Sequence, residues 1–122
     1  MALQESGEMY LETILVLSKE NKIVRAIDVA EEMKVSKVAV SRALSRLRAD
    51  GFVKAEKDGS IILTKSGETI AKKIYERHNV LTKMFVGLGV DEKNAAADAC
   101  RVEHVISDAT FKAVKKYVNK TK

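Results

Sequence analysis

Apolar side chains recur at helical spacing from Glu8 to Lys19, and this pattern predicts an amphipathic helix at the start of the chain. A second, shorter pattern covers Ala26 to Met33 and predicts another helix. The positions expected to face inward on this second helix are Ile27, Ala30 and Met33. Two helices separated by a short, largely polar break therefore open the chain.

A third helix is predicted after a break at residues 34–35, because Ser36 can cap its N-terminus and Gly51 can end it. Its buried side is expected to consist of Val40, Leu44 and Leu47. Residues 52–64 then form two β-type runs around Asp58-Gly59, a dipeptide that favours the tight turn of a hairpin. Helix, tight turn, helix and hairpin follow one another in a winged helix-turn-helix.

Helical periodicity returns at Lys65 and continues until two glycines interrupt it. Asp91 can cap the next helix, and Phe111 to Val118 predict a last amphipathic turn or two. The sequence thus predicts a mainly α fold of two parts. Residues 1–65 form a winged helix-turn-helix with a two-stranded wing, and residues 66–122 form a helical domain.

Exposed positions on the third helix and the hairpin carry side chains suited to DNA. In this motif the second helix enters the major groove, where hydroxyl groups, small side chains and guanidinium groups meet base edges and phosphates. Between Lys22 and Lys65 there are ten Lys and Arg against six Asp and Glu, so this segment holds most of the net charge of +5. For any one residue, a solvated helix face is the alternative. The candidate DNA-binding residues are Ser36, Lys37, Ala39, Ser41, Arg42, Arg46, Lys54 and Lys57.

The rest of the composition narrows the class of protein. A single cysteine among 122 residues excludes an internal disulfide and fits a reducing compartment. No signal peptide opens the chain, and no apolar run approaches the roughly 18 residues of a membrane span. We therefore expect a cytoplasmic protein that does not bind membranes.

A thiol, a carboxylate and an imidazole lie close together in the sequence ACRVEHVIS. Cys100, Glu103 and His104 stand at i, i+3 and i+4 of a predicted helix, and this spacing places them on one face. A metal site, a catalytic group and a coincidence of packing all fit the spacing. No segment resembles an oxyanion hole or a substrate-binding loop, so we expect no enzymatic activity and no organic substrate.

Two further positions on the first predicted helix also carry ligand-type side chains. Met9 and Glu12 stand at i and i+3 and so share a face, although a methionine is more often core and a glutamate more often solvated. His78 is the only other histidine.

The segments EMYLETI, ERH around His78 and ACRVEHVISD, in this order around a winged helix, resemble the diphtheria toxin repressor family of metal-dependent regulators. The resemblance covers essentially the whole chain. We expect the chain to correspond to the short members of this family, which lack the SH3-like domain. It implies a homodimer that binds palindromic operator DNA when Fe(II) or Mn(II) is present. It also makes the C-terminal helical domain the dimerisation and metal-binding domain.

The resemblance implies a ligand set that mixes two branches of the family. Iron-type members ligate their metal at the positions that match Met9, Cys100, Glu103 and His104. Manganese-type members have carboxylates at the first two positions and also use those that match Glu12 and His78. The ancillary site of the iron branch is not intact, because its glutamate and histidine positions fall at Thr82 and Ala96.

Thioether and thiol ligands favour Fe(II), Co(II) or Zn(II) over the harder Mn(II). We therefore expect an Fe(II)-activated repressor of metal homeostasis genes, with Co(II), Ni(II) or Zn(II) able to bind in vitro. The alternatives are a Mn(II)-responsive regulator, a metal-independent regulator that senses oxidation at Cys100, and an architectural DNA-binding protein. The candidate residues for the dimer interface, some of which must instead close the core, are Ile70, Ile74, Leu81, Phe85, Val102, Val105 and Ile106.

Overall fold

The computed structural model describes residues 5–20 and 23–120. Within them the chain forms α1 (Glu5–Glu20), α2 (Ala26–Met33), α3 (Lys37–Ala49), β1 (Val53–Ala55), β2 (Ile61–Leu63), α4 (Lys65–Gly87), α5 (Glu92–Val102) and α6 (Asp108–Lys120). The predicted mainly α fold with a two-stranded wing is confirmed. The chain divides into two compact units, an N-terminal unit that extends to Lys72 and a C-terminal unit that begins at Lys73. In this structure the division falls inside α4, a few residues after the sequence-based boundary at 65.

The helix-turn-helix is formed by α2 and α3. The chain leaves α2 through Lys34, whose φ of 58° is in the left-handed region, and the amide of Val35 donates to the carbonyl of Ala30 at 3.1 Å. Ser36 then caps α3, since its hydroxyl oxygen accepts from the amide of Ala39 at 3.1 Å. The cap predicted at Ser36 is therefore confirmed.

The buried face of α2 differs from the prediction. Val29 is fully buried and Ala30 is buried, whereas Ile27 is 41% exposed. This side of α2 packs against α1 and α3, whose buried side chains include Leu11 and Val40. The prediction that Ile27 faces inward is wrong, because the helix is rotated so that Val29 contacts the core.

The wing is an antiparallel pair in which Val53 faces Leu63 and Ala55 faces Ile61. Its turn contains Gly59 with a φ of +86°, a conformation that glycine adopts without steric cost. The hydroxyl of Ser60 donates to Asp58 Oδ1 at 2.6 Å. The hairpin predicted at Asp58-Gly59 is confirmed, and its lysines lie on an exposed edge of the N-terminal unit.

The C-terminal unit consists of the remainder of α4 with α5 and α6. Its core includes Ile74 and Leu81, which are almost fully buried, so these two candidates for the dimer interface instead close the core. Val105 is 68% exposed and remains available for another surface. No helix among the described residues is both long and apolar enough to span a membrane.

Candidate metal centre and nucleic-acid interface

The three clustered ligand-type residues lie where α5 ends, not along one helix face. Cys100 belongs to the last turn of α5, which ends at Val102, and Glu103 occupies the C-cap position with helical dihedral angles of −58° and −26°. His104 lies in the following turn, closed by hydrogen bonds from the amides of residues 105 and 106 to the carbonyl of Val102. The prediction that helix continues through His104 is wrong by two residues.

These side chains nevertheless converge. One ligand atom from each of Cys100, Glu103 and His104 lies within 4.8 Å of the other two. The side chain of Glu103 is fully buried and that of His104 is only 2% exposed, while Cys100 is partly exposed. The described residues thus bring a sulfur, a carboxylate oxygen and an imidazole nitrogen into one small, mostly dry region.

Glu103 is the centre of this cluster. Its Oε1 lies 2.9 Å from Nδ1 of His78 on α4, and its Oε2 lies 3.9 Å from Nε2 of His104. Oε2 is buried and has no hydrogen-bond partner among the residues that the structure describes. A buried carboxylate oxygen without a partner is costly, so the site favours a cation beside it.

The spacing and chemistry of these donors fit a divalent metal. His78 Nδ1 and Glu103 Oε1 lie 2.9 Å apart, at the distance of a hydrogen bond. One ligand atom from each of Cys100, Glu103 and His104 lies within 4.8 Å of the other two, so three donor types are available to one ion. A thiolate with an imidazole suits Fe(II), Co(II) or Zn(II), whereas the carboxylate suits harder ions as well.

Arg77 is a residue of this region that the sequence analysis passed over. It is 5% exposed, and its Nη1 donates to the carbonyls of Glu103 at 3.1 Å and of Ile106 at 2.7 Å. The motif ERH drew attention to His78 alone. An arginine on a long helix carries no sequence signal that it reaches the end of another helix, so only the structure places it there.

Met9 and Glu12 lie one turn apart on α1 in the N-terminal unit, and both are half-buried. The hydroxyl of Thr13 donates to the carbonyl of Met9 at 2.8 Å. Their assignment as metal ligands stays a prediction based on the sequence.

A cavity of about 640 Å³ opens beside His78 in the C-terminal unit. Its wall includes Thr82, Lys83 and Ala96, so the two positions of the ancillary site meet here with side chains that do not ligate metals well. The hydroxyl of Thr82 donates to the carbonyl of His78 at 2.7 Å. The prediction of an incomplete ancillary site stays a prediction.

The candidate DNA-binding surface consists of the exposed side of α3 and the wing. All eight residues proposed from the sequence are exposed: Ser36, Lys37, Ala39, Ser41, Arg42, Arg46, Lys54 and Lys57. The structure adds Val38, which is 62% exposed on the first turn of α3. The sequence could have indicated this exposure, because Val38 is an apolar residue that lies outside the buried face of α3 formed by Val40, Leu44 and Leu47.

Comparison with known proteins covers both units. The sequence profile of the iron-dependent repressor N-terminal DNA-binding domain matches residues 2–61. The profile of the iron-dependent repressor metal-binding and dimerisation domain matches residues 64–122. These matches confirm the resemblance that the sequence motifs indicated.

Individual relatives belong to the same group of transcriptional regulators as the two profiles indicate. The chain is 34% identical over 122 residues to an uncharacterised HTH-type transcriptional regulator of Methanocaldococcus jannaschii, with 98% of each chain covered. It is 33% identical over 107 residues to the diphtheria toxin repressor of Corynebacterium diphtheriae, covering 87% of this chain and 47% of that protein. A structure of the manganese regulator SloR aligns with a TM-score of 0.84 at 28% identity, covering 98% of this chain and 55% of that one. The chain therefore spans about half the length of the last two relatives.

Proposed function

Because the chain belongs to the iron-dependent repressor family, with both its DNA-binding domain and its metal-binding and dimerisation domain, we propose that it is an Fe(II)-activated transcriptional repressor. The observation that carries this proposal is that Cys100 and His104 converge on the buried carboxylate of Glu103. The protein then acts by binding, without a reaction to catalyse, and works in the cytoplasm.

Cys100, Glu103 and His104 would hold the metal, and His78 would orient the carboxylate of Glu103 or join it as a ligand. A bound metal would supply a positive charge beside the buried carboxylate of Glu103. The sequence resemblance implies that Met9 and Glu12 would contribute further ligands. One ion held by residues so far apart in the chain would restrict the conformations of the DNA-binding domain.

Fe(II) is the proposed effector because a thiol is among the clustered donors. Mn(II) is the second candidate, and a specific observation favours it. His78 and Glu103 lie 2.9 Å apart and offer a nitrogen and an oxygen without sulfur, and the carboxylate of Glu103 is a ligand type that suits Mn(II). The relative SloR is a manganese regulator.

The DNA partner is proposed to be a palindromic operator bound by a homodimer. The exposed side of α3 would enter the major groove, with Ser41 and Arg42 toward base edges and Lys54 and Lys57 toward phosphates. Two copies of α3 related by a two-fold axis would read two half-sites. Metal activates such a repressor only if it binds the DNA-competent state more tightly than the other states.

Substitution of the central carboxylate tests the metal site. Glu103→Gln keeps the shape of the side chain but removes its charge, and we expect it to weaken Fe(II) and Co(II) binding by at least about tenfold in anaerobic titrations. Asp98→Asn removes a partly exposed charge on α5 and serves as the matched control. Equal metal affinity of the two variants would contradict the site.

A further inference from the structure

The turn that carries Glu103 and His104 also accepts hydrogen bonds from a side chain on another helix, Arg77 of α4. The last four carbonyl groups of an α-helix have no partner within the helix and must find one elsewhere. Nη1 of Arg77 donates to the carbonyl of Glu103, the C-cap residue of α5, at 3.1 Å and to that of Ile106, in the turn that follows, at 2.7 Å. One guanidinium group therefore holds both ends of the segment from Glu103 to Ile106.

The charge of Arg77 is compensated at the same place. Its Nη2 forms an ion pair with Oδ1 of Asp108, the first residue of α6, and its guanidinium lies 5.4 Å from the ring centroid of Phe111. A buried guanidinium is costly unless it is paired and hydrogen-bonded. Here Nη1 and Nη2 have such partners, while Nε is buried without a hydrogen-bond partner among the described residues. Lys73, one turn earlier on α4, also pairs with Asp108 at 3.0 Å but is itself exposed.

Glu103 is thus held twice by adjacent residues of α4. Arg77 binds its main-chain carbonyl and His78 binds its side-chain carboxylate. We infer that Arg77 is the positioning residue of the metal centre: it shapes the turn that presents Glu103 and His104, although it touches no metal itself. This inference rests on the proposed function.

Three variants separate this role from a general contribution to stability. Arg77→Met removes both the ion pair and the carbonyl hydrogen bonds. Arg77→Lys keeps the charge but replaces the rigid fork of donors with one flexible ammonium group. Lys73→Met removes only an ion pair to the same Asp108 and is the matched control.

Two measurements are made on each variant and on the wild-type protein. The first is an anaerobic Co(II) titration that records the dissociation constant and the visible absorption spectrum, which reports the ligand geometry. The second is hydrogen exchange of the Val105 and Ile106 amides in the metal-free protein, because both amides donate within this turn.

We expect Arg77→Met to raise the Co(II) dissociation constant by at least about tenfold, to alter the spectrum and to accelerate exchange of the two amides. Arg77→Lys should give an intermediate result, and Lys73→Met should stay within about twofold of wild type. If Arg77→Met does not fold, Arg77→Lys decides. Wild-type affinity, spectrum and exchange in the arginine variants would overturn the inference alone. Failure of the wild-type protein to bind Co(II) would overturn the proposed function, and this inference with it.

Discussion

In the proposed function, Cys100 is the residue on which the choice of metal depends. It lies on the last turn of α5, partly exposed, with its sulfur within 4.8 Å of the ligand atoms of Glu103 and His104. Cys100→Asp replaces a soft ligand with a hard one of similar reach, so the ratio of Fe(II) to Mn(II) affinity should fall on the order of tenfold. Anaerobic competition titrations with a metal-binding dye measure this ratio.

Cys100→Ser is the control for that change, since it removes the thiolate without adding a carboxylate. It should weaken Fe(II) binding and leave Mn(II) binding no stronger than in the wild-type protein. An unchanged ratio of affinities in Cys100→Asp would exclude Cys100 as the source of metal selectivity.

Asp108 gives the C-terminal unit a dependence on pH. Hydrogen bonding and attraction from Lys73, and then from Arg77, lower the pKa of Asp108 below its usual value of 3.8. A carboxyl group with a lowered pKa in the folded state stabilises it above the pKa of the unfolded chain, and this contribution disappears as the pH falls through the folded value. Urea unfolding of wild type and Asp108→Asn should differ at pH 7, and the difference should shrink only as the pH falls below 3.8 and through the lowered pKa of the folded state. A difference that stays the same at pH values low enough to protonate Asp108 in the folded protein would show that the ion pair is not its cause.

At the scale of the elements, the start of α4 requires a glycine. A Cβ atom added at Gly67 would lie 2.0 Å from the carbonyl oxygen of Phe52, a main-chain atom that cannot move away freely. Alanine favours a helix over glycine by about 1 kcal/mol, yet Gly67→Ala should destabilise the protein by about 1–3 kcal/mol because of the clash.

Gly87→Ala is the matched control, since Gly87 ends the same helix and a Cβ there would meet no atom within 4 Å. It should be neutral or slightly stabilising. Urea unfolding at equal protein concentration measures both variants, because the stability of a dimer depends on concentration. Equal stability of the two alanine variants would contradict the close approach of α4 to Phe52.

The elements that the sequence predicted correctly are those with local signals. Ser36 and Asp91 cap their helices through hydrogen bonds to the amides of Ala39 and Asn94, three residues further on. Asp58-Gly59 lies in the hairpin connection, where Gly59 adopts a positive φ. Each of these features depends on residues that are neighbours in the chain.

The features that the sequence did not reveal depend on distant residues. The segment after Val102 shows no glycine or proline, so its pattern predicted helix, but the structure closes it as a turn whose carbonyls accept from Arg77, 26 residues away from Glu103. The exposure of Ile27 likewise follows from the way α2 packs against its neighbours. The residue types of the proposed site could be identified from the sequence, but their arrangement around Glu103 could not.

At the level of the whole molecule, one chain combines two properties. The N-terminal unit presents an exposed helix whose residues suit the major groove, and the C-terminal unit gathers a thiol, a carboxylate and an imidazole around a buried oxygen. The family profiles that match the chain describe a DNA-binding domain and a metal-binding and dimerisation domain. We therefore expect metal binding and DNA binding to be coupled. Coupling means that metal and DNA each strengthen the binding of the other by the same factor.

The most direct test of that coupling is the affinity of the protein for DNA with and without metal. The duplex is one selected in vitro from a random pool, with separate selections in the presence of Fe(II), Mn(II) and a chelator. Fluorescence anisotropy is measured anaerobically at one fixed salt concentration, because phosphate contacts make the affinity depend steeply on salt. We predict that Fe(II) strengthens binding by about tenfold or more over the chelator control, with a smaller effect of Mn(II). Equal affinity with either metal and with chelator would contradict a metal-activated repressor.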